Sequence, residues 1–236
     1  MNTTVVINTK GGSGKTTVAI NLASYFAASN IPAALMDYDP QGSSLNWLNL
    51  RGPYAARIHG ANGARHKNLR LRSMAMYVPE HTQQLIIDAP AGASGVVLQE
   101  ILDRASCVIV PVAPSAIDIH ATANFLKDSL LTGRMQARNI PLAIVANKVR
   151  RSTPVYEPLE WFLRSVNLKL LARLIDSDVY LRAAESGVGI FEMEHPVSIA
   201  ECRQFMPIAE WVESHRPVLA APARENIYAL PKSRFA

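Results

Sequence analysis

Three short stretches carry residue types whose spacing suits phosphate chemistry. The first, KGGSGKTT at 10–17, follows the apolar run VVIN. Gly11, Gly12 and Gly14, with Ser13 between them, allow backbone N–H groups to curl inward around an anion. A helix beginning at Lys15 adds positive potential at the same point. Lys15 can reach the β- and γ-phosphates of a nucleoside triphosphate, Thr16 can ligate Mg2+, and Thr17 can donate to the α-phosphate. The strict form of such a loop has Gly where Thr9 stands, and a second lysine, Lys10, sits at its mouth. The second stretch, DYDPQGS at 37–43, sets Asp37 and Asp39 directly after a strand-like run. The third, LIIDAPAG at 85–92, ends an apolar run on Asp88.

These stretches need strands and helices to hold them. Short apolar runs recur at 5–8, 33–37, 74–78, 85–88, 107–112, 142–147 and 168–172. They are apolar throughout instead of alternating, as in strands buried on both faces of a parallel sheet. Helical patterns lie between several of them, at 15–29, 118–131, 157–166 and 197–213. Strand–helix alternation of this kind predicts an α/β fold, a doubly wound and mostly parallel sheet flanked by helices, over residues 1–215. No repeat or second domain is visible. Residues 51–72 hold six Lys/Arg and no acid, with Gly and Asn interrupting any pattern, and the proline-bearing tail 216–236 reads as a flexible extension.

Composition narrows the classes. Two distant cysteines, Cys107 and Cys202, make no disulfide framework, and Cys107 inside SCVIVPV reads as a buried strand thiol. No apolar stretch approaches the roughly 20 residues that cross a bilayer, and a strand follows Met1 without a leader, so a cytoplasmic protein is expected. A formal net charge of +5 leans towards polyanionic partners.

With Lys10 and Thr9 included, KGGSGKTT is a deviant Walker A sequence, and through it the chain resembles the ParA/MinD family of positioning ATPases. The resemblance implies ATP and Mg2+ as ligands and a homodimer with ATP sandwiched between subunits. Lys10 of each copy would then cross the interface to the other copy's triphosphate. DYDPQGS resembles the family's switch I, with Asp39 placed to orient the attacking water and sense the metal, and Asp37 helping the metal or the loop geometry. LIIDAPAG resembles Walker B plus switch II, with Asp88 holding Mg2+ and Gly92 letting the backbone move. CVIVPVAPSAID resembles the next strand and its exit loop, where Pro111 and Pro114 fix a turn and Asp118 caps the following helix. Asn147-Lys148 resembles the start of a guanine-reading motif, but Val149-Arg150 follow and the required aspartate is missing. Adenine is therefore favoured, with Asn147 at its edge. RAAESGVGIFE at 182–192 resembles the family's late helix and loop.

Members of that family grip either DNA or membrane. The tail contains Pro231 and no apolar stripe, and the amphipathic segment 198–215 carries Pro207 and three glutamates, so it is expected to pack on the domain. Between Gly133 and Arg182 stand nine Lys/Arg against four acids, which favours non-specific DNA contacts through Arg150, Arg151, Arg164 and Lys169. The expectation is a nucleoid-associated ParA-like ATPase that positions or partitions a cargo, whether a plasmid, a chromosome region or a protein assembly such as a carboxysome or chemoreceptor cluster. A ParB-like or other adaptor would stimulate its slow hydrolysis, since none of the motifs brings an arginine finger. A membrane-associated MinD-like ATPase is the alternative.

Overall fold

Runs of Val, Ile, Leu and Ala with no polar interruption need cover on both faces, and the fold supplies it. In the computed structural model the described residues are 1–64, 69–130, 134–150, 160–161, 163–164, 167–168, 170–194 and 196–216. Seven strands form one sheet: β1 (Asn2–Val6), β2 (Ala33–Asp37), β3 (Ile58–Asn62), β4 (Gln84–Asp88), β5 (Cys107–Val112), β6 (Leu142–Val149) and β7 (Leu170–Ile175). Their order is β3-β2-β4-β1-β5-β6-β7, and every neighbouring pair is parallel. Successive residues feed opposite faces. Val5, Ile87 and Val108 join one core cluster, while Val6, Ile86 and Ile109 join the other.

Helices α1 (Lys15–Ala28), α2 (Ser43–Leu50), α3 (Leu69–Ala75), α4 (Gly95–Arg104), α5 (Ala116–Phe125), α6 (Arg134–Ala137), α7 (Asp178–Glu185) and α8 (Ile199–Ser214) flank this sheet. Leu98, Ile101 and Leu102 of α4 and Ile119 and Phe125 of α5 cover the first face. The second is covered by α1, by Tyr180 and Ala183 of α7, and by Phe205, Ile208, Ala209 and Val212 of α8. The amphipathic 198–215 segment therefore packs on the domain, as its pattern predicts. The 182–192 stretch docks on α1, where Ile190 N–H donates to Asn21 Oδ1 at 2.8 Å.

Three expectations are corrected. The run MAMYV at 74–78 is no strand: Met74 and Ala75 end α3, and Met76 N–H and Tyr77 N–H bond back to Arg72 and Met74 carbonyls. The strand lies instead at Ile58–Asn62, within the basic stretch that looked patternless. It is an edge strand, half exposed, so it needs no continuous apolar run. Gly60 inside it clears Leu45 and Leu48 of α2, which an added Cβ would approach to 3.1 and 3.0 Å. The helix expected at 118–131 starts earlier, at Ala116, and ends in a π-helical turn at Leu126–Leu130. Ser115 is its N-cap, accepting from Asp118 N–H at 3.1 Å. Asp118 sits in the first turn and accepts from the Ser115 hydroxyl, so the cap position expected of Asp118 is held by Ser115. The helix expected at 157–166 falls mostly outside the described residues, although Glu160, Trp161, Leu163 and Arg164 are helical. Of the tail, only Arg216 is described.

Candidate functional site

The carboxyl ends of β1, β2 and β4 converge where the strand order reverses, the crevice in which open α/β sheets bind ligands. The loop 9–14 leaves β1 there and re-enters the fold as α1. Asn8 anchors its start: Nδ2 donates to Pro111 O at 2.8 Å and Thr122 Oγ1 at 2.9 Å, and Oδ1 accepts from Lys10 N–H at 3.2 Å. Gly14 closes it at φ 89°, and an added Cβ would lie 1.8 Å from Asn147 Nδ2, so this position admits only glycine on two counts. Asn147, expected at the edge of a base, is buried beneath the loop and donates Nδ2 to Ser13 O at 3.0 Å.

Lys15 is 7% exposed and its Nζ donates to the Lys10 carbonyl at 3.0 Å. Burial lowers its pKa, while the carboxylates of Asp88 and Asp39 oppose that shift. Thr16 Oγ1 donates to Asp88 Oδ2 at 2.8 Å. Asp88 is almost fully buried; burial, then the neighbouring charge of Asp37, push its carboxyl up to about 7. Its Oδ1 is buried with no hydrogen-bond partner among the described residues. An orphaned carboxylate oxygen beside a threonine hydroxyl at the mouth of a phosphate loop fits a hard, oxygen-seeking cation such as Mg2+. Thr16 and Asp88 would hold it, and it would neutralise charge on the phosphates.

Asp37 Oδ2 accepts from Ser44 N–H at 2.9 Å, Ser44 Oγ at 2.8 Å and Leu45 N–H at 3.3 Å, and Oδ1 accepts from Asp39 N–H at 2.9 Å. Asp37 thus fixes the turn and the start of α2, and leaves Asp39 as the half-buried carboxylate near Lys15. Gly92, at φ 71°, donates its N–H to Thr9 O at 3.0 Å, so the third motif bonds directly to the loop of the first. Lys10, at the mouth of the loop, has its Nζ 3.9 Å from Asp118 Oδ1, with the side chain 38% exposed.

The expected DNA residues are not gathered in this way. Arg150 is exposed and pairs with Asp176 at 3.4 Å; Arg164 is exposed on its helical segment; Arg151 and Lys169 lie outside the described residues. Others among the nine cations serve the fold. Arg138 donates to the carbonyls of Leu102 and Asp103 at the end of α4, and Arg173 pairs with Glu160. Residue counting missed this engagement. It also missed Asn8, whose partners Pro111 and Thr122 lie more than 100 residues away, and Ser44, which stands just beyond the second motif and donates to Asp37 within it.

Comparison with known proteins agrees with this architecture. The profile of the family described as the CobQ/CobB/MinD/ParA nucleotide binding domain matches residues 4–190. A maintenance of carboxysome distribution protein A from Halothiobacillus neapolitanus is 21% identical over 192 residues, 81% of this chain and 87% of that one. Among solved structures, the MinC:MinD cell division protein complex of Aquifex aeolicus aligns at TM-score 0.68 and 14% identity, covering 94% of this chain and 99% of the other. The apo McdA structure from Cyanothece aligns at 0.67 and 16%, covering 91% and 99%.

Proposed function

The chain belongs to the CobQ/CobB/MinD/ParA nucleotide-binding family, and from that premise we propose that it is a ParA-like ATPase. In this reading it dimerises around ATP, binds DNA without sequence preference and positions a cargo. The observation that carries the reading is the division of labour between two lysines. Lys15 is buried in the cradle, whereas Lys10 stands at its mouth, partly exposed, with its ammonium 3.9 Å from Asp118 Oδ1. A triphosphate is a dense anion. A second lysine lent by another copy neutralises it only when two copies close face to face, so ATP acts as the adhesive and hydrolysis loosens it.

Within one copy the contacts support a set of roles. The loop 10–17 binds the phosphates, Thr16 and Asp88 hold the metal, and Asp39 orients water. Asn147, tied to Ser13, holds the loop in shape and lends its remaining polar edge to the base. The three motifs contain no arginine, so basal turnover is slow until an adaptor completes the site. Exposed Arg150 and Arg164, with Arg151 and Lys169, supply the phosphate contacts, and dimerisation doubles that patch. The cargo is a protein assembly of the kind that the Halothiobacillus relative is named for distributing. Membrane attachment of the MinD type is disfavoured, because the apolar face of α8 is spent on the domain core. Among the described residues no helix is long and apolar enough to span a bilayer.

Phosphate release from Mg-ATP tests the reading. A slow basal rate that Asp39→Ala abolishes, with ATP still bound, supports it. A fast unstimulated rate, or one that does not depend on Asp39, would overturn it.

A further inference from the structure

Tyr38 stands between the two carboxylates of DYDPQG, and its side chain joins the core cluster that α4 and α5 cover. Its backbone N–H donates to Asp88 O at 3.0 Å, so the residue is tied to the metal-holding strand. The ring is buried against Gly63, where an added Cβ would lie 2.6 Å from ring carbons. The phenol donates to Glu100 Oε1 at 3.1 Å. Glu100 also receives Arg72 Nη2 on both oxygens, at 2.6 and 2.7 Å. Burial pushes the Tyr38 phenol up to about 12, so it stays a donor at neutral pH. Burial raises the Glu100 carboxyl, but the hydrogen bonds from Arg72 and Tyr38 outweigh it and hold Glu100 below its ordinary value.

Glu100 lies on α4, which begins three residues after Gly92. A cavity of about 400 Å3 separates the two switch loops beside it, lined by Tyr38, Pro40, Arg72, Gly92, Ser94 and Val97. That volume leaves room for the loops to shift. Three segments therefore meet at one carboxylate: switch I through Tyr38, switch II through α4, and the basic 51–72 stretch through Arg72. None of the three nucleotide motifs contains Glu100 or Arg72.

The geometry points to Glu100 as a positioning residue for hydrolysis, one that holds switch I and α4 in register through Tyr38 so that Asp39 is placed when switch II closes. Glu100 touches neither nucleotide nor metal and acts only through Tyr38 and α4. This inference rests on the reading of the chain as an Mg-ATP hydrolase. It predicts a split that loss of folding would not produce. Tyr38→Phe and Glu100→Ala lower kcat for Mg-ATP by about tenfold, while KM and the affinity for labelled ATP stay within about twofold. Glu100→Gln, which still accepts from the phenol, recovers most of the rate. Arg72→Met gives the smallest loss. Tyr38→Phe combined with Glu100→Ala is no slower than Glu100→Ala alone, because both remove the same link.

Single-turnover hydrolysis on the full chain reads all five variants. Tyr38→Phe removes one oxygen from a ring that stays packed, so the test survives a Glu100→Ala protein that fails to fold. Unchanged kcat in Tyr38→Phe, a KM that rises in step with the loss, or additive losses in the double variant would each overturn the positioning role while leaving the ATPase reading intact. A wild-type chain without Mg-ATP turnover would overturn both.

Discussion

The crevice above β1, β2 and β4 and the far edge at β6 and β7 are both expected to meet phosphate, yet they are built in opposite ways. In the crevice, Lys15, Asp37, Asp88 and Asn147 are buried, and each is held by a hydrogen bond, from Lys15 to Lys10 and from Ser44 to Asp37 within a few residues and from Thr16 to Asp88 and Asn147 to Ser13 across the fold. At the far edge, Arg150 and Arg164 are exposed, Arg150 pairs with Asp176, and Arg173 pairs with Glu160. The difference follows from the ligand. A triphosphate with a metal is recognised by fixed donors in a dry pocket, where an ångström counts. A DNA backbone is gripped by screened charge, for which approximate placement suffices.

The largest effect that separates the two regions is Lys15→Ala. Removing the buried ammonium should weaken ATP binding by about a hundredfold or more in calorimetry, with DNA binding of the nucleotide-free chain unchanged. Retained ATP affinity would dissolve the distinction at its root.

Asp88 sharpens the contrast through pH. Its folded pKa is raised to about 7 from an ordinary value near 4, so between those values the folded chain keeps a proton that the unfolded chain has released. The stability associated with that proton is present at low pH, falls as pH rises through the window, and is missing above about 7. Asp88→Asn should therefore melt higher than wild type at pH 8 without ligand, by an amount on the order of 1–3 kcal/mol. Its melting curve should be flatter between pH 4 and 7, and Mg2+ should no longer tighten its nucleotide binding. A variant that is less stable at pH 8 would show that the orphaned oxygen costs nothing.

At the far edge the effects are smaller and depend on salt. Reversing Arg150 and Arg164 to Glu together should weaken duplex DNA binding by about tenfold at 0.1 M salt and lower the slope of log affinity against log salt. ATP affinity should not change. If binding is unaffected, the DNA face lies elsewhere, and the basic 51–72 stretch is the next place to reverse charge.

How far each region could be read from sequence follows the same division. The meeting of the loop 10–17, Asp39 and Asp88 in one crevice was legible because phosphate and metal chemistry would demand particular residue types at short, fixed spacing. The fully buried strands were legible because burial on both faces forbids polar residues. β3 was not: an edge strand tolerates Gly60 and a half-exposed face, so its apolar signal vanished, and the run at 74–78 mimicked one. The roles of Asn8, Asn147 and Glu100 were hidden for another reason. Each is defined by a partner more than 60 residues away, Pro111 and Thr122, Ser13, and Tyr38 respectively. Among the cations between 133 and 182, composition counts charge but not pairing, and Arg138 and Arg173 are engaged within the fold.

The account turns on Lys10 acting across a dimer. Sedimentation equilibrium of the Asp39→Ala chain, with Mg-ATP and with Mg-ADP, should give twice the monomer mass with ATP alone. Adding Lys10→Ala to that background should return the mass to that of a monomer, although ATP remains bound. A chain that stays monomeric with ATP, or one that pairs equally well without Lys10, would contradict it.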